Sequence, residues 1–148
     1  MKKVMYLLFL IPFVFSSCSK KDDPSIVDDY VGTWNVTYAG TIKMLDAKGA
    51  TVGNSSMDFS LEGDQITKEG NNQLGIDDWT ATVSGSSISI ESTTEPISIG
   101  LMSTTATIKY SGTISKNLIT ITKPYSGTWT QDNASGTLAG SVVYTYTR

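Results

Sequence analysis

The 148-residue chain holds no histidine, one cysteine and 14 acidic side chains, and that inventory restricts the chemistry open to it. Without histidine it lacks the commonest general base and the commonest metal ligand. A histidine-activated serine or cysteine nucleophile is therefore excluded, and carboxylates are left as candidates for acid–base work. The adjacent pairs Asp28-Asp29 and Asp77-Asp78 do not fit that role, because neighbouring side chains in extended chain face opposite ways. They read as turn or surface residues. A carboxylate-only enzyme would need two carboxylates meeting in one cleft with displaced pKa values. Asp132-Asn133 with Gly136 lacks the ligand spacing of a calcium loop. No phosphate-binding glycine motif is present, and Gly49, Gly53 and Gly63 read as turn glycines. The expectation is a non-enzyme with no metal and no cofactor.

The single cysteine, Cys18, cannot form an internal disulfide, and its surroundings suggest another role. Lys2 and Lys3 form a positive n-region, Val4 to Phe15 is an apolar run broken only by Pro12, and Ser16 and Ser17 follow. This is the plan of a secretory signal peptide. The run is shorter than the roughly 20 apolar residues that a transmembrane helix needs. Phe15-Ser16-Ser17-Cys18 resembles a bacterial lipobox. The resemblance implies a signal peptide over 1–17, cleavage before Cys18, and a thioether-linked diacylglycerol on that residue, usually with an N-acyl chain. Each buried methylene contributes about 0.8 kcal/mol, so two or three chains anchor stably.

Ser19 stands where an Asp would favour inner-membrane retention, which points to the outer membrane. Lys20-Lys21-Asp22-Asp23 is similar to the export signal of some Gram-negative surface lipoproteins. The implied address is the cell surface, with the periplasmic face as the alternative. Residues 18–25 then form a lipidated polar tether and residues 26–148 the folded domain. Removing Lys2 and Lys3 from the 11 basic residues leaves 9 against 14 acidic ones, a net charge of −5. That balance gives no electrostatic footprint for nucleic acid.

The domain itself reads as all-β. Trp34, Val36 and Tyr38 alternate with Thr33, Asn35 and Thr37, the period-2 pattern of a half-buried strand. The same alternation recurs at Met57, Phe59 and Leu61, at Trp79, Ala81 and Val83, and at Val142, Tyr144 and Tyr146. Ser25 to Val31 predicts one helical turn, and strand one runs from Gly32 to about Leu45. Breaks are expected at Asp46–Ala50, Gly63-Asp64, Glu69–Asp78, Ser92–Pro96, Ser111-Gly112, Lys116-Asn117, Pro124–Gly127 and Asp132–Gly136. Eight to ten short strands result, and the count fits either a sandwich or an up-and-down barrel.

A helical turn, then Gly32-Thr33-Trp34, then a closing strand ending in Arg148 resembles the lipocalin, or calycin, signature. The resemblance implies an antiparallel lipocalin-like barrel in which Trp34 packs at one end with Arg148 lying against it. Arg148 is the only arginine in the chain, and it shares parity with Val142, Tyr144 and Tyr146. Gly127-Thr128-Trp129 repeats the tripeptide without the helical turn. The chain is shorter than typical lipocalins and lacks their common disulfide.

Two functions follow from this reading. In the first, the anchored barrel binds a small hydrophobic or amphipathic ligand, with Trp34, Tyr38, Met57, Phe59, Trp79, Tyr144 and Tyr146 among the inward candidates. In the second, the interior is filled and an exposed apolar patch engages a protein partner at the cell surface, as an inhibitor or complex subunit would, with Tyr125 and Trp129 as candidates.

Overall fold

The computed structural model describes residues 25–100 and 102–148. The expected signal peptide, Cys18 and the expected tether up to residue 24 lie outside the described residues, as does Leu101. One turn of 3-10 helix, Asp28–Tyr30, leads into eight strands: β1 (Gly32–Asp46), β2 (Thr51–Gly70), β3 (Gln73–Ile76), β4 (Trp79–Ser84), β5 (Ser87–Ile99), β6 (Met102–Ser115), β7 (Leu118–Gln131) and β8 (Ala134–Thr147). Each pairs antiparallel with the next, and β8 returns to β1, so the sheet closes into an up-and-down barrel. The expected all-β barrel is present with eight strands, and the sandwich is excluded.

Several expected breaks fall inside strands. Gly63-Asp64 does not end β2. Trp34 faces Asp64 while Val36 faces Leu61, so β2 carries one extra residue, and Gly63 takes it up at φ 81°. A glycine in the left-handed region is the usual device for such a bulge. Ser92–Pro96 lies within β5, where the register slips between Ile90 and Thr93. Gly53 lies within β2, Ser111-Gly112 within β6, and Pro124–Gly127 within β7. Conversely, the expected loop Glu69–Asp78 contains β3.

Both Gly-Thr-Trp tripeptides serve as plugs at opposite ends. Trp34, 1% exposed, donates its indole N–H to Tyr30 O at 2.9 Å. The Arg148 guanidinium carbon stands 4.2 Å from the Trp34 ring centroid. The same guanidinium donates to Asp29 O at 2.8 Å and to Val31 O at 2.6 Å, tying the entry turn to the last strand. Gly32, at φ 130°, gives Arg148 room: a Cβ there would lie 3.4 Å from Nη2. Val27 is fully buried under the same end. At the other end Trp129, also buried, donates to Leu45 O at 3.0 Å. Gly136 makes that approach possible, since a Cβ would lie 2.8 Å from the Trp129 indole nitrogen. Between the plugs, inward residues of all eight strands form one continuous core.

Replacing Trp34 by Ala is expected to cost about 3–5 kcal/mol, the usual penalty for emptying a large core site. Arg148→Ala, which removes a partly exposed cation–π contact, should cost nearer 0.5–1 kcal/mol. Urea unfolding of each variant measures both, and a Trp34→Ala cost below about 1 kcal/mol contradicts the plugging role.

Candidate functional site

The eight strands differ greatly in length, and the difference opens the wall. β2 runs for 20 residues, but β3 and β4, which follow it around the barrel, have 4 and 6. β3 pairs with β2 only at Ile66–Gly70, and β4 pairs with β5 only at Ser87–Ile90. Residues 51–65 of β2 and 91–99 of β5 therefore have a laddered neighbour on one side only, β1 and β6 respectively.

Side chains on β2 register the consequence. Leu61 faces Val36, Phe59 faces Tyr38 and Met57 faces Gly40 across the ladder, so all three share the interior face of β1. Yet Met57, Phe59 and Leu61 are 43%, 56% and 43% exposed. Inward parity has placed them in an opening instead of a core. Where β2 and β5 approach each other, a half-open pocket of about 140 Å³ is lined by Met57, Ser55, Ile42, Glu95, Ile97 and Tyr125, among others.

Behind the opening the barrel's middle layer is aromatic and polar. Tyr38 stacks on Phe59 at 6.1 Å and meets Tyr144 edge-on at 4.8 Å; Trp79 meets Tyr144 at 5.2 Å and Tyr110 at 4.7 Å. Lys123, 7% exposed, pairs with Glu95 Oε2 at 2.5 Å. Its ammonium lies 5.2–5.8 Å from the ring centroids of Tyr110, Tyr125 and Trp79. The Tyr110 and Thr93 hydroxyls both donate to Glu95 Oε1. The ion pair thus has a hydrogen-bond partner on each carboxylate oxygen and aromatic faces around the cation, the conditions under which a buried pair is tolerated.

These contacts set the proton affinities. Burial pushes the Glu95 carboxyl up, but donation from Lys123, Tyr110 and Thr93 outweighs it and holds the group below its ordinary value. Burial pushes the Lys123 ammonium down, and the Glu95 contact reverses this and leaves it raised. Lys123 thus stays charged at neutral pH and is no nucleophile. Burial raises Tyr38, Tyr110, Tyr144 and Tyr146, so none is a ready proton source.

A second polar contact lies lower in the wall. Asp64, facing Trp34 from β2, has one carboxylate oxygen buried with no hydrogen-bond partner. Asp77, in the β3–β4 turn at φ 50°, receives the Tyr146 hydroxyl at a long 3.4 Å. Burial and the nearby Asp64 charge raise the Asp77 carboxyl. Asp77 stands in the β3–β4 turn and is exposed, as expected of a turn or surface residue, while its carboxylate accepts from the Tyr146 hydroxyl. Neither carboxylate lines the pocket between β2 and β5.

The other sequence candidates are distributed as follows. Trp34 and Tyr146 are fully buried, Tyr144 is buried, and Tyr38 and Trp79 are half-buried in the middle layer. Tyr125 and Trp129 are buried and form no surface patch, because both have the inward parity of β7. Cys18 lies outside the described residues. The alternation had not singled out Lys123 and Glu95. Their signal was parity with Ile119 and Ile121 on β7 and with Ile97 and Ile99 on β5. Among the described residues, no group of three His, Cys, Asp or Glu side chains could hold a metal ion.

Compared with known families, curated proteins and solved structures, the chain matches no family model, no curated protein and no solved structure.

Glu95→Gln should destabilise the barrel by about 2–3 kcal/mol at pH 7, the cost of an uncompensated buried cation reduced for partial exposure. Because the folded-state pKa of Glu95 is lowered, its stabilisation is present above the ordinary value of 4.5 and is lost as pH falls through the folded value. Urea unfolding at pH 7 and pH 3 should therefore show the gap between wild type and Glu95→Gln shrinking in acid. Adding Lys123→Met should recover part of the loss at pH 7.

Proposed function

We propose that the chain is a lipid-anchored, non-catalytic barrel of the lipocalin-like kind that acts as an interaction module at the outer membrane, with its interior occupied by its own side chains and the β2 wall meeting a protein partner. The observation that carries this reading is the exposed row of Met57, Phe59 and Leu61 beside an unpaired strand edge. Large apolar side chains clustered in the open are uncommon on monomers and mark contact surfaces. An unpaired edge invites another strand.

The lipocalin-like assignment rests on the Trp34–Arg148 stack, the entry turn before Gly32 and the order of the closing strand. Anchoring rests on the lipobox-like Phe15–Cys18 stretch. The non-catalytic reading rests on the absence of histidine from the sequence and on a Lys123–Glu95 pair whose groups are already committed to each other.

A second reading, the binding of a small hydrophobic or amphipathic ligand, is favoured by the pocket between β2 and β5. At about 140 Å³ it is smaller than the roughly 300–1,000 Å³ of ordinary ligand sites, so a ligand of that size would have to part β2 from β5.

The triple change Met57→Ser, Phe59→Ser and Leu61→Ser should leave the melting temperature within a few degrees, since all three side chains are exposed, and should abolish co-purification of a partner from detergent-solubilised membranes. Retained co-purification contradicts the interaction reading. Native mass spectrometry of the full chain tests the second reading: a bound small-molecule mass that is lost on unfolding would establish it. Cys18→Ala should release the protein from the membrane fraction, and unchanged membrane association contradicts lipid anchoring.

A further inference from the structure

We infer that the notch between the start of β4 and the middle of β5 is a binding site for a neutral sugar ring. β4 pairs with β5 from Ser84↔Ser87 to Ala81↔Ile90 and no further, so Trp79 and Thr80 have no ladder to the residues of β5 beyond Ile90. The register slip of β5 against β6, between Ile90 and Thr93, falls at the same height. The gap is a half-open cavity of about 370 Å³, lined by Asp78, Trp79, Thr80 and Thr82 on one side and by Glu91 and Thr93 on the other. That volume lies within the roughly 300–1,000 Å³ of ordinary small-ligand sites. The cavity shares no lining residue with the pocket between β2 and β5, so the inference goes beyond the interaction reading and stands without it.

The groups around the cavity are uncommitted, and their chemistry selects the ligand. The indoles of Trp34 and Trp129 each donate to a backbone carbonyl. Trp79 is half-buried, and its N–H has no acceptor among the described residues and is not a buried orphan, so it is left for a partner on the solvent side. The Asp78 and Glu91 carboxylates are exposed and have neither an ion pair nor a hydrogen bond among the described residues. A cationic ligand is disfavoured at this indole, because the Lys123 ammonium already stands 5.8 Å from the Trp79 ring centroid. An anionic ligand is repelled by the two carboxylates. A neutral molecule that both donates and accepts is left. A sugar ring has that pattern: its hydroxyls donate to carboxylates and accept from the indole N–H and the threonine hydroxyls, and its C–H face packs on an aromatic edge.

Thr82, Ile90 and Glu91 also line an adjoining cavity of about 420 Å³ that continues to Ser89, Ser92 and Lys109. The shared residues join the two into one trough across β5. A free sugar and the end of a longer glycan present the same chemistry to Trp79, and the trough gives the second a place for its next unit.

Heteronuclear NMR of the isotope-labelled full chain, in a detergent without a sugar headgroup, follows the Trp79 indole N–H, assigned by its loss in Trp79→Phe. The probes are the methyl α- and β-glycosides of glucose, galactose, mannose and N-acetylglucosamine, the linear disaccharide of each sugar that binds, and tetramethylammonium. At least one glycoside should shift the Trp79 signal saturably at millimolar concentration. Its affinity should not change with added salt, because the ligand is neutral. Asp78→Ala and Glu91→Ala, both at exposed positions, should leave the melting temperature unchanged and each weaken binding about tenfold or more, the value of one hydrogen bond to a charged group. A disaccharide that binds more tightly than its methyl glycoside supports a linked glycan lying along both cavities, and equal binding supports a single sugar held at Trp79. No shift with any glycoside, a shift undiminished in both alanine variants, or tighter binding of tetramethylammonium than of every glycoside overturns the inference.

Discussion

A strand in a closed barrel needs a hydrogen-bonded neighbour on each side, and β2 meets that requirement for only part of its length. The cause is local: β2 has 20 residues, whereas the hairpin that follows it has strands of 4 and 6. Over the height covered by β3 and β4 the barrel is complete, and its interior is ordinary core. Beyond the Asp77–Asp78 turn, β2 and β5 face each other without a ladder. The same side-chain parity that buries Val36 and Ile66 there turns Met57, Phe59 and Leu61 toward an opening. Fold and candidate site thus have one origin.

The rest of the structure compensates for that opening. Two tryptophans, each held by its indole N–H on a backbone carbonyl, seal the ends. At mid-height, next to the opening, the barrel carries Lys123 and Glu95 within a ring of tyrosines and Trp79 instead of a purely aliphatic layer. A fully bonded ion pair fixes the relative positions of β5 and β7 more sharply than apolar contacts would, because charge-assisted hydrogen bonds are directional. β5 loses its ladder to β4 after Ile90, and from that point Glu95 ties it across the interior.

The parts of the fold that depend on local pattern were legible in the sequence. Trp34, Val36 and Tyr38 declare β1 by alternation, and Gly32-Thr33-Trp34 with Arg148 points to a barrel closed between its first and last strands. Strand ends were less legible. Gly63, Ser92–Pro96 and Pro124–Gly127 look like breaks, but a barrel accommodates a glycine bulge, a register slip and a proline without ending the strand. The site was half legible for a related reason. Parity correctly put Met57, Phe59 and Leu61 on the inner face, but burial depends on whether a neighbouring strand exists, and that is set by the length of β3 and β4. Lys123 and Glu95 shared parity with isoleucines on their strands, but each reads as a solvated charge until its partner, 28 residues away, is brought alongside. Asp64 and Asp77 likewise meet only through the fold.

Amide hydrogen exchange along β2, measured by NMR in dilute solution, tests most directly whether the wall is open between β2 and β5. If it is, amides in 51–63 that are not bonded to β1 exchange orders of magnitude faster than those that are, and faster than the amides of β1 itself, which has neighbours on both sides. Uniform slow exchange along both edges of β2 at high dilution would mean that the chain closes its own wall, and would contradict the account.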